Sequence, residues 1–280
     1  PAGTQLSDTT AEGTFSSGWK ADPALGTPLD ASYAMGADGR LSLMGNTAMY
    51  RGLQYPVRLD QETSSFLRLQ FSFSGVEQFA GIALGGLRFG VTKENGRVLP
   101  VIISGDKTFK GTVSLQENTV YNVVVRLDGS AVPDAERKLS LAVYPDGEDV
   151  TEWQISGTAE DEKAFQTVGI EADGSITILG LSKDEAGSAY LNGFDQAVQA
   201  VLSQNTLPGI VRAEEQLGTM VDCIAKEILS AQIRHARTVN ENTPPVVDYV
   251  TVSGSPRTGQ LLTGTYGLID RMENADNPVL

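Results

Sequence analysis

Histidine and cysteine each occur once in this chain, and tryptophan only twice. A lone histidine, His235, excludes a Ser-His-Asp relay within a β-sandwich and leaves zinc sites of the Cys/His kind without ligands. With Cys223 as the only cysteine, no internal disulfide can form. Cys223 falls in an apolar helical pattern and reads as a small core residue, not a nucleophile. Cationic side chains are also scarce: 21 Lys and Arg stand against 35 Asp and Glu, a formal net charge of −14. Such a chain has no basic patch with which to release counterions from nucleic acid, and it is repelled by anionic lipid. No run of about 18 apolar residues occurs, so membrane insertion is not expected. No basic, apolar leader opens the chain at Pro1, so no signal peptide is read.

What the chain does have is turns. Five Asx-Gly pairs punctuate its first two-thirds: Asp38-Gly39, Asn95-Gly96, Asp128-Gly129, Asp146-Gly147 and Asp173-Gly174. Asn and Asp tolerate positive φ and Gly has no Cβ, so such pairs favour strand reversal. Between them the residues alternate. Leu67, Leu69, Phe71 and Phe73 share one face of a strand, with Arg68, Gln70 and Ser72 on the other. Further strands are read over Gly81 to Phe89 (with Gly85-Gly86 as a bulge or turn), Val98 to Ile103, Tyr121 to Leu127, Leu139 to Val143, Ile176 to Ile178 and Ala189 to Phe194. No helix separates them, which excludes a parallel βαβ fold. The fold expected is mainly β: an antiparallel jelly-roll β-sandwich with a C-terminal helical segment and a short Ig-like β tail.

The pattern changes after residue 194. Phe194, Ala197, Val198, Val201 and Leu202 recur at helical spacing. A longer helix is expected to run to about Arg237, with Leu217, Val221, Ile224 and Ile228 as its apolar stripe. That stripe must bury itself against the sandwich, the shorter helix or a second copy, which makes these four residues the candidate oligomer interface. Val247 to Val252 and Gly259 to Tyr266 read as two further strands, marginal on their own in water. The expected organisation is a sandwich over 1–194, a helical connector over 195–239, and a linker with a partial β segment over 240–280.

Two resemblances follow. Val252-Ser253-Gly254-Ser255-Pro256, then Gly259-Gln260-Leu261-Leu262-Thr263-Gly264-Thr265-Tyr266 and Asp270, resembles the opening of a bacterial Ig-like repeat. That family implies a spacer or adhesive module in surface, secreted or phage structural proteins. The body resembles a concanavalin-type, laminin G-like jelly roll in its strand order, its Tyr121 to Tyr144 hairpin and its Tyr190-Leu191-Asn192-Gly193-Phe194 close. Members of that family bind glycans or proteins, and some cleave polysaccharides.

Chemistry is harder to find. A glycosidase needs two carboxylates flanking the sugar bond, but Glu148-Asp149, Glu152 and Glu160-Asp161-Glu162 read as solvated loops. The Glu-x-Asp-x-x-Glu strand pattern of retaining hydrolases is absent, as is a phosphate loop. A lyase base could be Tyr50, Tyr55, Tyr121 or Tyr144, none of them in a recognisable constellation. Asp146, Glu148 and Asp149 cluster oxygens on one turn, so structural calcium is the one cofactor worth entertaining. Trp19 and Trp153 are the candidate glycan platforms. The reading is thus a non-catalytic attachment or structural module of an extracellular, cell-surface or virion protein, acting by glycan recognition or subunit assembly. Its partners are other protein subunits or a glycan, and a homo-oligomer is one arrangement that the helix stripe allows. The alternative is a polysaccharide lyase or glycosidase of jelly-roll fold.

Overall fold

A computed structural model of the chain describes residues 19–21, 33–35, 40–61, 64–159, 164–183, 207–219, 222–241, 246–254, 257–259 and 263–269. Residues 1–195 with 222–228 form one compact unit, and 196–221 with 229–280 form the other.

The first unit is a sandwich of two seven-stranded antiparallel sheets. One runs β1 (Lys20–Ala21), β4 (Thr47–Arg58), β13 (Ala164–Ala172), β6 (Ala80–Leu84), β7 (Leu87–Glu94), β8 (Arg97–Ser104) and β9 (Lys107–Lys110). The other runs β12 (Ile155–Ala159), β11 (Arg137–Pro145), β10 (Tyr121–Asp128), β5 (Ser64–Ser74), β14 (Ser175–Lys183), β3 (Leu41–Leu43) and β2 (Tyr33–Met35). The expected antiparallel jelly-roll sandwich is therefore present.

Alternation builds the core. Leu67, Leu69, Phe71 and Phe73 of β5 point inward, as do Val123, Val125 and Leu127 of β10 and Leu139, Leu141 and Val143 of β11. They meet Met49, Ile82, Leu84, Phe89, Val91, Ile102, Val168 and Ile170 from the facing sheet. Phe73 ties this layer together, with ring centroids 5.6 Å from Phe71 and 5.9 Å from Tyr121. Burying each such ring stabilises the fold by about 1.5–3 kcal/mol.

The Asx-Gly pairs divide by role. Asn95-Gly96 makes the two-residue β7–β8 turn, with both residues at positive φ (51° and 76°) as that turn requires. Asp173-Gly174 links β13 to β14. Asp128-Gly129 is not a hairpin turn. A Cβ at Gly129 would lie 2.1 Å from the Gln61 carbonyl oxygen, so glycine is needed there for close backbone approach. Asp38-Gly39 and Ala189 to Phe194 lie outside the described residues.

Strands β4, β9, β12 and β13 escaped the sequence reading. β4 carries Gly52 and Pro56, which interrupt its alternation. Its partner β13 changes register between Phe165 and Thr167. β4 and β13 lie side by side between β1 and β6 in the first sheet.

The expected long helix is two helices. α1 spans Leu207–Gly218 and α2 spans Ile224–Glu241. Cys223 does not sit mid-helix. It precedes α2, where its Sγ accepts a weak bond from the Lys226 backbone N–H at 3.5 Å, in the position of an N-cap. Leu217, Ile224 and Ile228 are buried, while Val221 lies outside the described residues. Residues 222–228 cluster with the sandwich, where Glu227 bridges to Arg68 of β5 at 2.7 Å. In the second unit Arg237 of α2 pairs with Glu214 of α1.

The expected tail strands are present as a hairpin, β15 (Val246–Ser253) with β16 (Thr263–Ile269). Val250 and Tyr266 pair across it, and both are exposed along with Val252. Among the described residues the tail is a hairpin, and an Ig-like repeat is not shown. Among the described residues, no helix is long and apolar enough to cross a membrane.

Candidate functional site

The outward face of the first sheet is formed by what its strands lack. By register, Gly169, Ala83, Arg88 and Ile103 form one outward row across β13, β6, β7 and β8. Glu171, Gly81 and Gly90 form the adjacent row. β6 therefore contributes only a hydrogen and a methyl group to this surface. The glycines are obligatory, since a Cβ at Gly81 would lie 2.3 Å from the Phe89 carbonyl oxygen, and one at Gly90 2.1 Å from that of Ala80.

Over this trough the Arg88 Nε donates to Glu171 Oε2 at 2.6 Å. The pair belongs to a cleft of about 410 Å³, lined also by Asn46, Thr47, Ala48, Gln78, Phe79, Ile103, Ala172 and Asp173. Thr47 is set by its own hydroxyl, which donates to the Met44 carbonyl at 3.0 Å. Asp173 organises the opposite wall. Its carboxylate accepts the backbone N–H groups of Glu77 and Gln78, and its own N–H donates to the Phe79 carbonyl. The β5–β6 loop, bearing Gln78 and Phe79, is thereby pinned against the end of β13.

The wall chemistry is mixed. Asn46 and Gln78 offer amide donors and acceptors, Arg88 and Glu171 offer fork-shaped charged groups, and Ala48, Phe79 and Ile103 offer apolar surface. Such a surface can hydrogen-bond vicinal hydroxyls on one edge of a ligand and contact C–H groups on its face.

The outward face of the second sheet is occupied by its own contacts. Arg68 holds Glu227, and Arg126 pairs with Asp128, which also accepts from Ser64. Trp153 covers Phe66 at a centroid separation of 6.5 Å, and its Nε1 is buried with no hydrogen-bond partner.

The two tryptophans do not form one platform. Trp19 flanks β1 of the first sheet, packs partly on the core and lies 5.2 Å beneath the Arg51 guanidinium. Trp153 flanks β12 of the second sheet, and neither lines the cleft. Asp146, Glu148 and Asp149 are exposed beyond β11. Asp146 accepts from Gln70 (2.6 Å) and Asn122 (3.2 Å), and among the described residues no three acidic, His or Cys side chains converge as a metal site.

Of the tyrosines, Tyr121 is in the core with its hydroxyl accepting from the Gln116 N–H, and Tyr144 holds the backbone of Glu152. Tyr55 is exposed, and Tyr50 pairs with Gly169 without lining the cleft. His235 is exposed on α2. Glu160-Asp161-Glu162 lies outside the described residues.

The sequence reading missed Glu171, Asp173 and Arg88. A signal was available: Glu171-Ala172-Asp173 has the i, i+2 acidic spacing at a strand end. Asp173 reads as part of the Asp173-Gly174 turn, and Glu171 carries no signal of its own because β13 is not visible as a strand in the sequence.

No protein-family model matches the chain, and no curated protein matches it significantly. Among solved structures it is similar to the bifunctional GH43-CE protein of Bacteroides eggerthii (TM-score 0.42, 15% identity, 61% of this chain and 24% of that one). It is also similar to alginate lyase Aly36B (TM-score 0.41, 12% identity, 60% and 87%). A third is a mutant of the GH43 protein BlXynB from Bacillus licheniformis (TM-score 0.39, 15% identity, 64% and 38%). The chain spans about a quarter of the length of the GH43-CE protein. At these identities the likeness is one of fold alone. The expectation that the chain is not an enzyme is withdrawn, because the similar structures include an alginate lyase and GH43 proteins.

Proposed function

We propose that the chain engages a polysaccharide, with the cleft on the outward face of the first sheet receiving a sugar unit. The observation that carries this reading is the Arg88–Glu171 pair set beside Asn46, Gln78 and Phe79 in one cleft. Sugars present hydroxyl-rich edges and apolar ring faces, and planar amide, carboxylate and guanidinium groups bind adjacent hydroxyls in pairs. Phe79 and Ile103 supply the apolar complement. The partner in this reading is a glycan at a cell surface, in the extracellular space or on a virion. The test is affinity electrophoresis of the whole chain through gels containing different polysaccharides. Retardation by at least one polymer, abolished by Arg88→Met, is expected; uniform migration in all of them sinks the reading.

Cleavage of the bound polymer is a second reading, favoured by one observation: two carboxylates, Glu171 and Asp173, line the same cleft. Hydrolysis of a glycosidic bond uses such a pair as acid and base or nucleophile. Both carboxylates are engaged here, Glu171 by Arg88 and Asp173 by the β5–β6 loop. Turnover would therefore require substrate to displace at least the guanidinium. Reducing-end release from a retained polymer, lost in Glu171→Gln, is the expected result; an unchanged polymer length after prolonged incubation argues against it.

A further inference from the structure

We infer that the polysaccharide engaged by this cleft is a neutral one, and that the Arg88–Glu171 pair is what excludes polyanionic chains such as polyuronates. The inference rests on the carbohydrate reading of the cleft and narrows it to a substrate class.

The argument is one of charge. Among the described residues the lining contains one cation, Arg88, and two carboxylates, Glu171 and Asp173. The guanidinium is directed at Glu171, 2.6 Å away, so its charge is met before any ligand arrives. Asp173 then leaves the lining with a formal excess of one negative charge. The same arrangement recurs elsewhere in the first sheet. Lys93 of β7 pairs with Glu77 of the β5–β6 loop at 2.5 Å, and Lys110 of β9 pairs with Glu94 at 2.7 Å.

A polyuronate carries a carboxylate on every residue and needs available cations along its track, most effectively arginine forks. Here the cation that lines the cleft, Arg88, already faces a carboxylate. The formal charge of −14 over the whole chain adds long-range repulsion that is strongest at low ionic strength. A neutral sugar meets none of these penalties. Its hydroxyls can donate to Glu171 and accept from Arg88 while the ion pair stays intact. Asn46 and Gln78 add uncharged donors and acceptors, and Ala48, Phe79 and Ile103 add apolar contact.

The pair also makes selectivity adjustable. Glu171→Gln keeps the shape of the side chain, removes one negative charge and leaves the Arg88 guanidinium without its carboxylate. The variant should gain polyuronate binding.

The experiment is affinity electrophoresis of the full chain at low salt in gels containing β-glucan or mannan, and in matched gels containing polygalacturonate or alginate. Circular dichroism confirms that each variant is folded. Retardation by a neutral polymer with at least tenfold weaker binding to both polyanions is expected, and Glu171→Gln should narrow that gap at least tenfold. Wild-type binding to a polyanion that equals or exceeds neutral binding overturns the inference but leaves the carbohydrate reading standing. An unchanged gap in Glu171→Gln overturns the role assigned to the pair. Failure to bind any of the four polymers removes the carbohydrate reading itself, and the inference with it.

Discussion

Arg88 on β7 reaches Glu171 on β13 at 2.6 Å although a whole strand, β6, runs between them. The contact exists because β6 places Gly81 and Ala83 on that face. Neighbouring strands lie about 4.8 Å apart, so two side chains separated by one intervening strand must span nearly twice that distance. Only a long guanidinium arm over a nearly bare strand can do it.

Site and scaffold should therefore separate on mutation. The Arg88 and Glu171 side chains are 44% and 25% exposed, and a surface ion pair contributes about 0–1 kcal/mol. Arg88→Met is expected to lower unfolding free energy by less than about 1 kcal/mol. Affinity for a retained polysaccharide should fall at least tenfold. Urea denaturation and affinity electrophoresis read the two effects. A large stability loss would recast the pair as structural.

Gly81→Ala is the converse case. The added Cβ would sit 2.3 Å from the Phe89 carbonyl oxygen and 2.6 Å from the Gly90 Cα, both backbone atoms that cannot rotate away. Overpacking of this kind costs about 1–3 kcal/mol, and the rigid neighbours place it at the upper end. The midpoint of urea unfolding should fall accordingly. An unchanged midpoint would mean that β6 and β7 can separate, and that the glycines are there for the ligand and not for the sheet.

These two cases mark what was legible in the sequence. The inward row Leu67, Leu69, Phe71 and Phe73 is visible because alternation is a local property, and β5 occupies the middle of its sheet as such a pattern demands. β4 was hidden because Gly52 and Pro56 break its period, and the register of β13 slips between Phe165 and Thr167. The site depended on those hidden strands. Arg88 and Glu171 lie 83 positions apart, and nothing local says that β13 and β7 flank β6. Trp19 and Trp153 are candidates because glycan platforms are aromatic, whereas their surroundings are packing contacts on different sheets.

The start of α2 carries a pH prediction. Lys226 donates to Asp222 at 2.8 Å, and this hydrogen bond, reinforced by the ammonium charge, holds the Asp222 carboxyl below the ordinary carboxylate range. A folded-state value below the unfolded one contributes stability above the unfolded value, and that contribution is lost as pH falls through the folded one. The first turn of α2 should hold at neutral pH and loosen only in acid below the usual Asp range. An NMR titration of the Asp222 carboxyl, repeated in Lys226→Met, checks it. An Asp222 midpoint that does not move upward in the variant would remove Lys226 as the cause.

Cys223 tests the cap of the same helix. Ile224 begins α2, so the Lys226 N–H is one of the donors with no intrahelical partner, and the Cys223 sulfur accepts it at 3.5 Å. Sulfur is a weak acceptor, and a serine hydroxyl at this position is a strong one. If capping dominates, Cys223→Ser should raise stability by about 0.5–1 kcal/mol, and Cys223→Ala should lower it by a smaller amount. The side chain is also half-buried, so packing of the larger sulfur acts in the opposite sense. Thermal unfolding of both variants decides between the two, because capping ranks Ser above Cys above Ala. A ranking with Cys first would make the thiol a packing residue, and hydrogen exchange at Lys226 would then be the same in Cys223→Ser as in the natural chain.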